Sequence, residues 1–130
     1  MTTIRCIASA AEVNNDQTLI IGGDDENYND LKTTELISSS GSVKRKDFPT
    51  TIVGHCTIKI NSTHALVTGG DQDKSISAST WFVDLTTTRF TPGPKMTSRR
   101  FWHGCSTLQL GRKNFGVVAG GQYLDSTELI

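Results

Sequence analysis

Three cysteines, three histidines and several runs of carboxylates are the residues of this 130-residue chain whose types could do chemistry. Cys6, Cys56 and Cys105 are an odd number and form no CxxC, so they do not read as a disulfide framework. His55 and His103 stand beside two of them, but metal ligands come in close-spaced pairs and these residues are about a repeat apart. The simpler expectation is one small packed cysteine per structural unit. Cys105, near Arg99, Arg100 and His103, is the one thiol in a setting electropositive enough to be reactive. A catalytic His or Ser needs a partner, and neither GxSxG nor HExxH occurs. No GxxxxGK[ST] phosphate loop is present. "DDENYND" at 24–30 lacks the Gly and terminal Glu of a helical-hand calcium loop. The expectation is no catalytic residue, no metal and no cofactor.

The elements that must position these residues recur. "LIIGG" (19–23), "ALVTGG" (65–70) and "GVVAGG" (116–121) are three apolar runs that each end on two glycines. The pairs are Gly22-Gly23, Gly69-Gly70 and Gly120-Gly121, spaced 69−22 = 47 and 120−69 = 51 residues apart. That period signals a repeat protein. The three cysteines precede their pairs by 16, 13 and 15 residues and read as one repeat position. A further run follows each pair: "TTELI" (33–37), "STWFVDL" (79–85) and "STELI" (126–130). These short runs are rich in Val, Ile, Thr and Phe, which reads as strands. Hairpin turns are expected at Asn61-Ser62-Thr63 and around Thr86-Thr87. A glycine pair at a strand end marks a sharp turn or a close backbone approach.

About four antiparallel strands per 50 residues describe a β-propeller blade. At motif level the chain resembles the kelch-repeat propellers. After the second Gly-Gly, Phe82-Val83-Asp84 holds the aromatic-Asp place, Phe90 stands where the family prefers Trp, and Met96, Arg100 and His103 follow at family spacing. The link "KDFPTTIVGHC" has neither the Met nor the Arg, and "SSSGS" (38–42) reads as a longer loop. The resemblance implies that Arg100 and His103 order the blade-to-blade loop. It also implies an all-β partial propeller, an open arc of about two and three-quarter blades. The expected blades span about 1–50, 51–97 and 98–130, the last truncated in its third strand. Expected strands are 4–8, 18–22, 33–37 and 43–48; 55–60, 65–69, 79–85 and 88–91; and 103–109, 115–119 and 126–130. An arc that does not close is expected to be a piece of a longer propeller, or else to self-associate.

Thirteen basic and 13 acidic side chains give zero formal charge, which argues against nucleic acid and against a polybasic membrane surface. No stretch has the length of an apolar membrane span. The N-terminus does not read as a signal peptide, which favours the cytoplasm slightly, while one sequon, Asn61-Ser62-Thr63, leans outward. Strand parity puts the strand two–three loops and the blade links on one face. It carries Asp24, Asp25, Tyr28, Asp71, Asp73 and Tyr123, with Arg99, Phe101 and Trp102 from the link. These are interface residue types, and the resemblance implies that a protein partner docks there. The expected function is therefore a non-catalytic protein-interaction module. The alternatives are part of a galactose-oxidase-type enzyme acting on sugars or alcohols, or part of an extracellular adhesive or receptor propeller.

Overall fold

The computed structural model describes residues 4–130; Met1–Thr3, the start of the first expected blade, lie outside the described residues. The first sheet is built from Ser9–Asn14 (β1), Gln17–Ile21 (β2), Thr34–Ser38 (β3) and Gly41–Arg45 (β4), antiparallel and in sequence order. Ile52–Val53 (β5) follows. The second sheet holds Cys56–Lys59 (β6) and His64–Thr68 (β7). The chain then makes a small hairpin, Asp71–Gln72 (β8) and Ser75–Ile76 (β9), before Thr80–Asp84 (β10) and Phe90–Pro92 (β11) complete that sheet. The third sheet is Gly104–Leu110 (β12), Lys113–Ala119 (β13) and Thr127–Leu129 (β14). Strands β5, β8 and β9 form a fourth, three-stranded sheet. The protein is thus all-β, with four discrete antiparallel sheets packed in a repeating, propeller-like arrangement.

The sheets pack through two successive cores. Leu19, Ile21 and Leu36 of the first sheet meet Ala65, Val67 and Val83 of the second, with Ile52 of the link between them. Phe48 seals this layer edge-on against Trp81 (5.6 Å) and Phe90 (5.0 Å). Fully burying one such ring is worth roughly 1.5–3 kcal/mol. Ile58 of the second sheet meets Val118 of the third through Met96 of the second link. Each link therefore contributes a buried side chain to the layer it crosses.

Side chains close the hairpins where the turns were expected. The Asn61 side-chain oxygen accepts from the amides of Thr63 (2.9 Å) and His64 (2.8 Å). Asp84 accepts from Thr86 (2.8 Å) and Thr87 (3.1 Å). Short side chains that bond their own following backbone are what make these turns tight.

The structure departs from expectation at the first strand. β1 begins at Ser9; within 4–8 there is only an isolated bridge between Cys6 and Asp24, beyond the glycine pair. Ile7 has φ 52°, a left-handed conformation that ends extended pairing there. The "SSSGS" stretch is no long loop: Ser39 and Ser40 alone join β3 to β4. Phe48, expected at the end of the fourth strand, lies past it and turns into the core.

Candidate functional site

The glycine pairs are where the links touch the sheets. All six glycines have positive φ. A Cβ on Gly22 would collide with the Ile52 carbonyl, and one on Gly69 with the Arg100 carbonyl. The same carbonyls accept the amides of the second glycines: Gly23 N–H to Ile52 at 2.9 Å, Gly70 N–H to Arg100 at 2.7 Å. A link thus lies directly on the preceding sheet's turn, which only glycine permits.

A side-chain clamp repeats around each turn. Arg100, fully buried, donates to the carbonyls of Gly120 (2.6 Å) and Ser126 (2.8 Å), to the Ser126 hydroxyl (2.7 Å) and to Glu128 (3.0 and 3.2 Å). Arg5 makes the equivalent set in the first sheet: Gly22 carbonyl (2.7 Å), Thr33 carbonyl (3.0 Å), Thr33 hydroxyl (3.2 Å) and Glu35 as ion pair (3.5 Å). In the second sheet Gln72 does this work without charge. Its amide donates to the Gly69 carbonyl (2.8 Å) and its oxygen accepts from the Ser79 hydroxyl (3.2 Å). Trp81 stands there where the outer sheets have Glu35 and Glu128. Burial pushes the Glu128 carboxyl up, but the Thr97 and Ser98 amides and the Arg100 guanidinium outweigh it and hold it at about 2.

The links carry two more repeated features. Ile7, Gly54 and Trp102 occupy one position, all left-handed (φ 52°, 64° and 55°). They form a ladder: Gly54 N–H donates to Ile7 (3.2 Å) and Trp102 N–H to Gly54 (2.7 Å). The Trp102 ring lies over Gly54, where any side chain would strike it, and tilts against Phe101 at 4.7 Å. Three residues after Ile52 and Arg100 come His55 and His103. His103 Nε2 bonds the Thr68 hydroxyl at 2.8 Å. Ile21 takes the place of Thr68 in the first sheet, and neither ring nitrogen of His55 has a partner of normal geometry. Burial, then the neighbouring His103, pushes His55 down to about 3; burial, then Arg100, pushes His103 down to about 4. Both rings are neutral packing groups at pH 7.

The cysteines differ from expectation. Cys56 and Cys105 form a disulfide that joins β6 to β12, so Cys105 is not a reactive thiol. The free thiol is Cys6, which is exposed and lies ahead of β1. The register puts even Cys56 and Cys105 one residue out of phase, since Gly104 and not Cys105 pairs with the residue before the glycines. Ser9 pairs with Ile21 just as Cys56 pairs with Thr68, so Ser9, not Cys6, holds the Cys56 position. A hydroxyl bond between Ser9 and Thr57 ties β1 to β6 in the corresponding gap.

The loop-face candidates fall into separate groups. Asp24 is buried beneath the Cys6 bridge, with Oδ1 unbonded. Asp25 is half-buried and committed: it accepts from Asn27 and Asn29, and the Asn29 bonds hold its pKa down. Asp71 is half-buried, its pKa raised by burial and then by Asp30. Tyr28 and Asp73, both left-handed, line a cleft of about 310 Å³ with Asp30, Thr51 and Lys74. Arg99 lines a second cleft of about 530 Å³ whose other charge is Lys95. Phe101, Trp102 and Tyr123 line neither cleft. Tyr28, Trp102 and Tyr123 are 85%, 59% and 94% exposed. Among the described residues, no three His, Cys, Asp or Glu side chains group to hold a metal ion.

Sequence reasoning missed Arg5, Glu35, Gln72, Lys95 and Glu128. The available signal was the shared Glu of "TTELI" and "STELI", a charge inside an otherwise apolar strand pattern, which demands a buried cation. Against known proteins, no family model matches the chain and no curated protein matches it significantly.

Proposed function

We propose that the chain is a non-catalytic protein-interaction module, a kelch-type propeller arc of about two and three-quarter blades that binds a partner through its loop face. The observation that carries this reading is the set of exposed aromatics on that face. Tyr28, Trp102 and Tyr123 all hold left-handed backbones, at φ 60°, 55° and 62°. Non-glycine residues in this region cost of order 1–3 kcal/mol each, and such strain concentrates where side chains are displayed for use. The repeated clamps below them supply a rigid base, which lowers the entropy lost on docking. The kelch assignment draws on Met96 packed in the second core and on Arg100 and His103 bonded across the link.

The test is capture of interacting protein by the chain and by Arg99→Ala and Trp102→Ala variants. Loss of capture with unchanged circular dichroism is expected. Capture that survives both changes would show that this face is not the docking surface.

One observation favours the extracellular reading over a cytoplasmic one. The Cys56–Cys105 disulfide belongs to oxidising compartments, and Asn61 of the sequon sits on an exposed hairpin tip. Glycan on Asn61 in material made by its native host supports secretion; its absence, with all three thiols free, counts against it.

A further inference from the structure

The larger loop-face cleft, about 530 Å³, lies between the β8–β9 hairpin and the second link. Its charged lining is Lys95 and Arg99, with no carboxylate. Both are exposed, and neither joins an ion pair among the described residues. The remaining polar lining is hydroxyl and amide, and its protons can be traced. Ser79 donates to Gln72, so in its 2.6 Å contact with Ser77 it accepts and Ser77 donates. Those two serines are spent inside the protein. Among the described residues the hydroxyls of Thr50 and Ser75 have no protein partner, and Gln72 keeps one amide proton beyond the one given to Gly69. The cleft therefore offers two cations and three uncommitted donors, with no anion to compete. On the other side of the hairpin, the smaller cleft carries Asp30 and Asp73 against one Lys74.

We infer that the larger cleft is an oxyanion site that takes the carboxylate or phosphate of a single side chain on a peptide partner. The inference rests on the interaction reading above and adds a ligand class to it. Lys95 and Arg99 supply the charge; Thr50, Ser75 and Gln72 supply neutral hydrogen bonds. The carboxylates across the hairpin disfavour a continuous polyanion, because a second negative group would meet Asp30 and Asp73.

Three capped pentapeptides test this on the full chain, identical except for phosphoserine, Glu or Gln at the centre, with amide chemical shifts as the readout. Saturable shifts at Thr50, Ser75–Ser79 and Arg99 are expected with the phosphoserine or the Glu peptide, and the stronger of the two names the source of the oxyanion. The Gln peptide should leave those residues in place. A Lys95→Gln/Arg99→Gln double variant should bind about tenfold more weakly, two exposed charge pairs having been lost, while Arg99→Lys retains most of the affinity. Equal shifts from the Gln peptide, no shifts from either anionic peptide, or binding unaffected by the double variant would overturn the assignment. So would heparin binding more tightly than both peptides. If the anionic peptides fail while Trp102→Ala still abolishes capture, the ligand class falls and the docking face stands; if capture ignores Trp102 and Arg99, the face itself falls.

Discussion

Replacing Arg100 by Met keeps the stem's volume and removes the guanidinium that five hydrogen bonds converge on. The Gly120 and Ser126 carbonyls and the Ser126 hydroxyl then lose their buried donor. Glu128 is less stranded, because the amides of Thr97 (2.6 Å) and Ser98 (3.0 Å) still reach it. Breaking a buried pair from one side costs about 3–5 kcal/mol, and the retained amides put this site at the lower end, near 3 kcal/mol. Glu128→Gln keeps an acceptor toward Arg100 and should cost about 1–2 kcal/mol. Gln72→Ala removes two neutral bonds and should cost about 1 kcal/mol. Since Arg100 and Glu128 touch, Arg100→Met/Glu128→Leu should cost less than the two single changes added together. Urea unfolding at pH 7 reads the series as midpoints at constant m. The decisive comparison is the ranking, which survives even if Arg100→Met fails to fold. A cost for Arg100→Met below about 1 kcal/mol, or equal to that for Gln72→Ala, would refute the claim that the ionic clamp holds the third sheet's turn.

Two further predictions concern covalent and proton chemistry. The Cys56–Cys105 bridge spans a sequence separation of 49; the chain-entropy relation puts its stabilisation at up to about 4 kcal/mol, so Cys56→Ser with Cys105→Ser should lower the urea midpoint clearly. Denatured, unreduced protein should titrate one thiol, that of Cys6, and three would exclude the bridge. Stability should also fall with acid in two windows. His55 and His103 refuse in the fold a proton that the unfolded chain takes near 6.5, so stability present above 6.5 is lost as pH falls toward about 4 and about 3. Glu128 adds a loss between its ordinary 4.5 and about 2. Urea midpoints that stay level from pH 7 to pH 4 would contradict the neutral, buried imidazoles.

Much of the fold was legible because Gly22-Gly23, Gly69-Gly70 and Gly120-Gly121 all take positive φ at a strand end, and a requirement of that kind leaves a mark at fixed spacing. Strands β2, β7 and β13 were placed within a residue or two for the same reason. The phase of the cysteines was misread because counting backward from the glycines crosses a hairpin whose turn length varies. Pairing register, not sequence distance, decides which residues are equivalent, and register put Ser9 opposite Ile21. The β5–β8–β9 sheet was invisible because two-residue strands carry no periodicity to read. The clamp was half visible: Glu35 and Glu128 repeat, but their cations come from the links, and the second sheet uses an amide from another part of the repeat. Of the residues expected on the loop face, Tyr28, Trp102 and Tyr123 are exposed, whereas Asp24 is buried by a backbone bridge that no local pattern announces.

Where each clamp originates sets what the repeats owe one another. Arg5 and Arg100 reach their turns from the chain that enters the sheet, so the first and third sheets are fastened by their incoming segments. Gln72 lies three residues after the carbonyl it holds, within its own sheet's loop. The second sheet therefore carries its clamp in its own loop, which pairs in turn with the incoming β5 through Ile52–Gln72 and Val53–Asp71. If the incoming segment at 50–53 peels away in a partial opening, the Gln72 hairpin loses its β5 partner but keeps its bonds to the turn, whereas a release at Arg5 or Arg100 carries the clamp itself away from the sheet that follows. The repeats look alike in outline, yet the middle one carries its clamp within itself and the outer two borrow theirs from what precedes them.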